Sequence, residues 1–313
     1  MATSGSVDFS LSRTNIITMA LQSCNVLAEG VAASAQQLTD GSLFLNSIVK
    51  AFQSDGMPLW ALKNAYILPM TGVSSMDAGG SSHFVHSYTQ TTLSAAAASG
   101  ASTVVITSAT GFAASQVIGI ELSDGTMQWT TINGALSGTT VTLTAVLTGA
   151  ASSGAQVYTY ATSVRAYRPL RVLHAITRNV TDNADGHVSI ISHSDYADIG
   201  NKTESSYPTQ LYYDPQLDTG LLYFFPRFSN GDRVVLVRYH RPYEDFDAAG
   251  DTPDFPQEWY MAIVMTLAWT FSFYQEVPTK KRQELAIAAK YWKDLALGFA
   301  MEEDSVQFFP ASY

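Results

Sequence analysis

The pattern of apolar and polar positions predicts helices at both ends of the chain and strands in its middle. In the first 53 residues, apolar side chains recur at intervals of three and four, which indicates two amphipathic helices. Ser10 or Ser12 is placed to cap the first helix, and Gly30 to end it. Ser34 and Gln37 form a capping-box pattern at the start of the second. We expect a helical hairpin that needs a packing partner.

The last quarter of the chain predicts two further helices of unlike character. Residues 259–274 are apolar nearly all round, and such a helix must be buried on nearly all sides. Asp254 stands at the expected N-cap, and a helix with one apolar face restarts at Thr279. Neighbouring subunits cover an all-round apolar helix more easily than a single chain does. The predicted subunit-interface residues are therefore its aromatic side chains, Trp259, Trp269, Phe271, Phe273 and Tyr274.

The final segment reads V-Q-F-F-P-A-S-Y, which is unusual for a chain end. Disordered ends are normally poor in aromatic residues. The segment is therefore predicted to dock into a partner. Its candidate docking residues are Val306, Gln307, Phe308, Phe309, Pro310 and Tyr313.

Between residues 71 and 161 the composition changes to Ser, Thr, Ala and Gly, and the charged residues are Asp77, Glu121 and Asp124. Short runs of alternating β-branched residues recur there at regular spacing, and Asp124-Gly125 is a hairpin signal. This pattern predicts an inserted all-β domain, a small barrel or sandwich able to fold alone.

Charge returns at residue 164, where a second set of strand patterns begins. The run from Arg233 is apolar through its middle, so it is predicted to be central in its sheet. The fold class is therefore predicted to be α+β, with a helical bundle built from the N- and C-terminal helices and an antiparallel β region. The predicted divisions are the helical hairpin 1–70, the inserted domain 71–163, the β region 164–247, the C-terminal helices 248–300 and the docking tail 301–313.

Composition narrows the function classes. The chain has 313 residues and a formal net charge of −10, which argues against a surface that coats DNA. Its one cysteine, Cys24, excludes a disulfide framework and a cysteine metal cluster. The N-terminus lacks a signal-peptide pattern, and the longest apolar run is shorter than the roughly 20 residues that a membrane span needs. We expect a soluble protein of a reducing compartment with no membrane partner.

The sequence matches known catalytic and metal-binding motifs only weakly. His83 and His86 have the spacing of a metal pair, but no third ligand follows at a zinc-site spacing. Phosphate-binding glycine loops are absent from the sequence. The acidic run that contains Glu244 and Asp245 suits either a glycosidase pair or a solvated loop before a helix N-terminus. We expect no enzyme activity, no catalytic residues, no cofactor and no metal.

Six segments in a fixed order resemble the head-to-tail adaptor proteins of short-tailed bacteriophages, also called tail accessory factors, packaged-DNA stabilisation proteins or tail tubular proteins. The resemblance covers about the first 70 residues and everything after about residue 165, and it omits the inserted domain. The segments are F-Q-S-D-G-M-P-L-W at 52–60, R-P-L-R-V at 168–172, S-Y-P-T-Q-L-Y-Y-D-P-Q at 206–216, L-Y-F-F-P at 222–226, V-R-Y-H-R-P-Y-E-D-F-D at 237–247 and T-P-D-F-P-Q-E-W at 252–259.

The resemblance implies a structural virion protein that forms a ring, usually of twelve copies, below the portal. The ring seals packaged double-stranded DNA, which passes through the lumen without specific binding, and carries the tail nozzle, fibres or needle. The implied partners are further copies of the chain, the portal protein, and nozzle or fibre proteins. The implied location is the neck and tail of the virion, after assembly in the host cytoplasm.

Two alternatives remain open. Some adaptors of this type have been described as cell-wall hydrolases, so the acidic cluster at Glu244 and Asp245 could cleave peptidoglycan. The inserted domain could instead bind a fibre, a nozzle protein or a host glycan through exposed Ser, Thr and Trp129. Its simpler interpretation is a decoration that widens the ring.

Overall fold

The computed structural model describes residues 5–54 and 58–300. These residues form two compact units. The helical unit combines the described parts of residues 1–61 and 243–313, and the β unit is Leu62–Pro242. Two described segments far apart in sequence thus belong to one helical unit, and the protein is a mixed α+β chain.

The described residues contain five α-helices and sixteen strands. The helices are α1 (Arg13–Ser23), α2 (Ala35–Gln53), α3 (His193–Ala197), α4 (Tyr260–Tyr274) and α5 (Thr279–Ala300). The strands are β1 (Leu62–Ile67), β2 (Ser75–Ala78), β3 (Phe84–Val85), β4 (Thr89–Thr92), β5 (Thr103–Val105), β6 (Val117–Glu121), β7 (Met127–Thr131), β8 (Thr140–Thr142), β9 (Gln156–Tyr160), β10 (Arg171–Asn179), β11 (Asp185–Ile190), β12 (Ser205–Ser206), β13 (Gln210–Asp214), β14 (Gly220–Phe225), β15 (Arg227–Phe228) and β16 (Arg233–His240).

Local capping explains where the N-terminal helices begin. The Ser12 hydroxyl accepts a hydrogen bond from the Asn15 backbone N–H (3.2 Å) at the start of α1. The predicted capping box of α2 is confirmed, because the side chains of Ser34 and Gln37 bond each other's backbone N–H groups. The predicted end of α1 at Gly30 is wrong. The helix ends at Ser23, and Asn25 then takes a left-handed conformation (φ 61°) that a helix cannot continue.

The helical unit has one core, to which α1, α2, α4 and α5 all contribute. Gly41 of α2 lies where the helices approach most closely, since a Cβ there would stand 2.7 Å from Ile17 of α1 and 3.0 Å from Phe271 of α4. The predicted N-cap of α4 at Asp254 is too early. A 3₁₀ turn at Gln257–Trp259 precedes the helix, which has its N-cap position at Trp259 and no side-chain cap.

The β unit contains an eight-stranded sheet in the order β2-β14-β13-β11-β10-β16-β1-β3. Its two edge strands, β2 and β3, are joined by the short link between Ala78 and Phe84. Six residue steps reach at most about 20 Å, whereas the edges of a flat eight-stranded sheet are about 34 Å apart. The sheet must therefore curl so that its edges approach each other. The predicted central position of β16 is confirmed by its antiparallel pairing with both β1 and β10.

The insertion, residues 89–160, forms a four-stranded sheet (β4-β9-β6-β7) and a two-stranded sheet (β5-β8). Side chains from both sheets share one apolar core, which includes Val104, Ile118 and Val141. The predicted hairpin at Asp124-Gly125 joins β6 to β7. A second core, with Val117 and Tyr158 from the insertion, packs it against the eight-stranded sheet.

Three predicted boundaries differ from the structure, two because backbone pairing crosses them and one because residues 243–247 belong to the helical unit. β1, placed in the helical hairpin 1–70, pairs with β16 in the large sheet. β2 and β3, placed in the inserted domain 71–163, are the edge strands of that sheet, so the insertion begins at Thr89. Residues 243–247, placed in the β region 164–247, belong to the helical unit.

Candidate functional site

The feature of the helical unit that needs a functional explanation is a set of large apolar side chains left in solvent on α4 and α5. Single exposed apolar residues are normal on protein surfaces, but a concentration of them marks an interaction site. We call these residues the exposed apolar set. They are Trp269 (38% exposed), Phe273 (55%), Tyr274 (68%), Ile287 (71%), Tyr291 (60%), Leu295 (44%) and Phe299 (79%).

Spacing along α5 explains why this helix has two apolar faces. Leu285, Ala289 and Ala296 are buried against the unit's core. Ile287, Tyr291 and Leu295 follow one another at intervals of four, so they lie in a row on another face. The sequence pattern predicted one apolar face for this helix and did not include Ile287 or Tyr291 in it. The residues of that predicted face are Leu285, Ala288, Ala289, Trp292, Leu295 and Phe299. The four-residue repeat was the signal that distinguishes the two rows.

Of the five predicted interface residues, Trp269, Phe273 and Tyr274 are exposed. Trp259 (3% exposed) and Phe271 (1%) instead lie in the core of their own unit. The rings of Phe271 and Phe44 meet edge to face with centroids 5.6 Å apart, and Trp259 contacts Phe52. Those two residues are corrected to core positions, because a side chain without exposed surface offers nothing to a neighbouring copy.

The exposed aromatic side chains of α4 are held in place by neighbours. The Trp269 and Phe273 rings meet at 73° with centroids 5.6 Å apart, and the Arg282 guanidinium lies 5.3 Å from the centroid of Phe273. Arg282 is itself fixed, because its Nε donates to the Val277 carbonyl (2.8 Å). These contacts order the rings before any partner binds, which lowers the entropy lost on association.

An open cleft of about 340 Å³ lies between α4 and α5, and Trp269 is the member of the exposed apolar set that lines it. Phe52, Trp269 and Ala289 supply apolar lining, and Lys290 and Asp294 supply charges. An apolar cleft with a charged rim can receive a side chain of a neighbouring protein. This surface can therefore take part in association.

The acidic segment after Pro242 has structural contacts. Asp245 forms an ion pair with Lys50 (2.7 Å), and both side chains remain nearly half exposed. Asp251 accepts the backbone N–H groups of Asp247 (2.8 Å) and Ala248 (2.6 Å), so it shapes the turn. Glu244 is exposed. These contacts favour the solvated-loop interpretation over the glycosidase pair.

The histidine pair does not converge on one point. His83 shares a 2.8 Å hydrogen bond with the Tyr160 hydroxyl and stacks on Trp129 with ring centroids 4.0 Å apart. His86 instead contacts the Asn64 carbonyl through Nδ1 (3.1 Å). Burial, with a smaller contribution from Arg165, lowers the pKa of His83 to about 4. His83 is thus a neutral packing residue at pH 7.

Neither a metal site nor a membrane span has a candidate within residues 5–54 and 58–300. No cluster of three or more His, Cys, Asp or Glu side chains there is placed to hold a metal ion. No helix in the same ranges combines the length and apolar character of a membrane span. The predicted docking residues Val306, Gln307, Phe308, Phe309, Pro310 and Tyr313 lie outside the described residues.

Comparison with known proteins finds a match to only a small part of this chain. No protein family matches the chain, and no curated protein matches it. Among solved structures, the chain is similar to the Gp54 tailspike of Acinetobacter baumannii bacteriophage AP22, solved in complex with A. baumannii capsular saccharide. That match has 15% identity and a TM-score of 0.21, and covers 23% of this chain and 14% of the tailspike. So small an overlap carries no argument about fold or function.

Proposed function

We propose that this chain is a head-to-tail adaptor of a short-tailed bacteriophage, a structural virion protein that assembles as a ring below the portal. The observation that carries the proposal is the exposed apolar set on α4 and α5. The adaptor-like segments identified in the sequence supply the class of assembly. A protein that works alone rarely leaves so many aromatic side chains in solvent on two packed helices.

The partner for this surface is a second copy of the chain. Two segments of the helical unit differ in net charge: α5 carries five Lys or Arg residues against Glu284 and Asp294, whereas the exposed charges before α4 are acidic, at Glu244, Asp247 and Glu258. Opposite charges on different segments of one subunit suit a head-to-tail contact, in which one copy's basic segment meets the next copy's acidic one. Repeated head-to-tail contacts close into a ring when the rotation between copies permits it.

In this proposal the helices of the helical unit form the bundle that builds the ring. The insertion decorates the ring as a barrel-like or sandwich-like domain. The segment 306–313 docks to the portal protein, and the tail nozzle or fibres attach to the assembled ring. An acidic chain suits a lumen through which double-stranded DNA passes without specific binding. The function requires no cofactor and no catalytic step.

The oligomeric state tests the proposal most directly. The purified chain, alone and mixed with portal protein, is examined by light scattering and by negative-stain electron microscopy. We expect a closed ring, dodecameric when portal is present. The double variant F273D/Y291D should remain folded but fail to form the ring, since a charge placed in a desolvated apolar interface is costly. A chain that stays monomeric with portal at high concentration would contradict the proposal.

The matched control is V146D, which places the same charge on an exposed apolar position (51% exposed) of the insertion. It should assemble like the wild type. Portal docking is tested separately by removing residues 306–313. Unchanged portal binding by the shortened chain would contradict the docking role while leaving ring formation untouched.

A further inference from the structure

A cleft of about 510 Å³ in the β unit has a lining that differs in charge from the rest of the chain. Two arginines, Arg165 and Arg168, line it, and the carboxylate in its lining is Asp218. The whole chain carries a formal charge of −10, so a net positive cleft is a local reversal of sign. Neither the ring-forming surface nor the predicted tail accounts for it.

Neither arginine is neutralised by the protein. Neither Arg165 nor Arg168 forms an ion pair with a carboxylate of the described residues. The Nε of Arg165 is buried and has no hydrogen-bond partner in the described structure. The described part of the protein thus supplies neither a carboxylate for these two guanidinium groups nor an acceptor for the Nε of Arg165.

Other contacts hold both arginines in position. The Arg165 guanidinium lies 5.8 Å from the centroid of the Tyr160 ring. Arg168 donates from Nη1 to the Gln216 carbonyl (3.0 Å) and also hydrogen-bonds the Tyr213 hydroxyl, and both of these acceptors are uncharged. The side chains are thus preorganised by neutral partners, and their charge remains available to a ligand.

Two glycines in the lining of the cleft allow a close approach of the backbone. Gly79 and Gly80 have φ angles of 126° and 62°, which residues with a side chain rarely adopt. A Cβ on Gly79 would lie 3.1 Å from the Arg168 backbone nitrogen, so glycine lets this loop pack against the arginine segment. Thr162 and Ser163 add hydroxyl groups, and the ring of Tyr167 is 55% exposed at the same cleft.

We propose that this cleft binds an oxyanion, a carboxylate or phosphate group held by Arg165 and Arg168. Planar guanidinium groups match both oxyanions with paired N–H donors. The cleft is larger than a free ion, so the group is carried by a larger molecule. The exposed Tyr167 ring can pack against the ring of a carboxylate-bearing sugar, and a phosphate ester is the other source of the same chemistry.

Calorimetric titration of the full-length protein at low ionic strength tests the site with glucuronate, inorganic phosphate and neutral glucose as probes. We expect millimolar or tighter binding of at least one anion and none of glucose. Tighter glucuronate binding assigns an acidic sugar, and tighter phosphate binding assigns a phosphate ester. R168Q should weaken anion binding tenfold or more, and R168K should weaken it less, because lysine keeps the charge but loses the paired donors.

The control is R171Q, which removes the same charge from an exposed side chain at the start of β10 and should leave affinity unchanged. R165Q is the second binding variant, and thermal melts establish that each variant is folded. If R165Q unfolds, R168Q with R168K still decides the outcome. Absence of anion binding at tens of millimolar would overturn the proposal, as would equal weakening by R168Q and R171Q. Ring assembly is measured separately, so the two proposals fail independently.

Discussion

The insertion and the helical unit treat their apolar side chains in opposite ways. In the insertion, the large apolar side chain left exposed among the described residues is Val146, and the rest are buried or partly buried in its two cores. In the helical unit, α4 and α5 alone leave seven exposed. A region whose apolar surface is covered within its own chain needs no further partner for stability. A region that leaves several aromatic rings in solvent is a candidate for association.

The insertion and the helical unit also differ in the polar side chains on their surfaces. Hydroxyl and amide side chains bond one another across the insertion, as Thr131 does with Thr144 (2.8 Å) and Thr92 with Thr107 (3.0 Å). These pairs satisfy polar groups within the chain without using charge. The helical unit instead carries opposite charges beside apolar rings, a combination that would set the orientation of neighbouring copies in the proposed ring. The polar side chains of the insertion thus bond one another without charged groups. Its low charge therefore does not indicate disorder.

The largest expected effect separates a core aromatic from a surface aromatic on the same helix. F271A should lower the free energy of unfolding by about 3–5 kcal/mol, because Phe271 is buried and its loss leaves a cavity. F273A should cost the dilute chain about 0.5 kcal/mol or less, because that ring is 55% exposed. Urea unfolding at low protein concentration measures both. Equal losses of unfolding free energy in F271A and F273A would contradict the assignment of Phe271 to the core and Phe273 to the surface.

The next effect concerns pH and the packing of the insertion against the large sheet. His83 stacks on Trp129, and its pKa is lowered to about 4 from 6.5. Between these values the unfolded chain binds more protons than the folded chain, so the free energy of unfolding falls as pH falls. The loss approaches about 3 kcal/mol below pH 4.

Urea unfolding from pH 7 to pH 4 measures this loss, and H83Q should flatten the profile. H187Q is the control, because His187 lies on the exposed side of β11 and should leave the slope unchanged. An unaltered slope in H83Q would assign the acid sensitivity to other groups.

A smaller effect tests the close packing within the insertion. A Cβ on Gly119 would lie 2.6 Å from the Trp129 ring, so G119A should force the ring to move and cost about 1–3 kcal/mol. A Cβ on Gly200 would meet no atom within 4 Å, and Gly200 has no positive φ angle, so G200A should be close to neutral. Thermal melts compare the two, and a neutral G119A would mean that the insertion packs more loosely than the helical unit.

The smallest effect lies on α5. Gly298 is an exposed helical residue with open space around it, so G298A should raise the free energy of unfolding by about 0.5–1 kcal/mol. Ring assembly should not change, because the added methyl group is small. Loss of the ring in G298A would show that a neighbouring copy packs against this position, which would enlarge the interface beyond the exposed apolar set.

Local signals in the sequence predicted local structure well. The capping box at Ser34 and the hairpin at Asp124-Gly125 depend on residues close in sequence, and the structure contains both. The central position of β16 was predicted from the apolar run within that strand, and the structure confirms it. The predicted domain boundaries differ from the structure where strands far apart in sequence pair with each other. β2 and β3 lie within the low-charge segment, yet they complete a sheet whose other strands come from residues 62–67 and 171–240.

The sequence by itself determined that the chain has helical ends, a strand-rich middle and a low-charge insertion, because periodicity and composition act through neighbouring residues. Only the tertiary structure decided which apolar residues remain in solvent. Phe271 and Phe273 are two residues apart on one apolar helix, and nothing in their local sequence distinguishes them. Packing against Phe44 buries the first, while the second has no such cover within the unit's core. The same holds for Arg165 and Arg168, whose shared cleft exists only once the loops of the β unit are brought together.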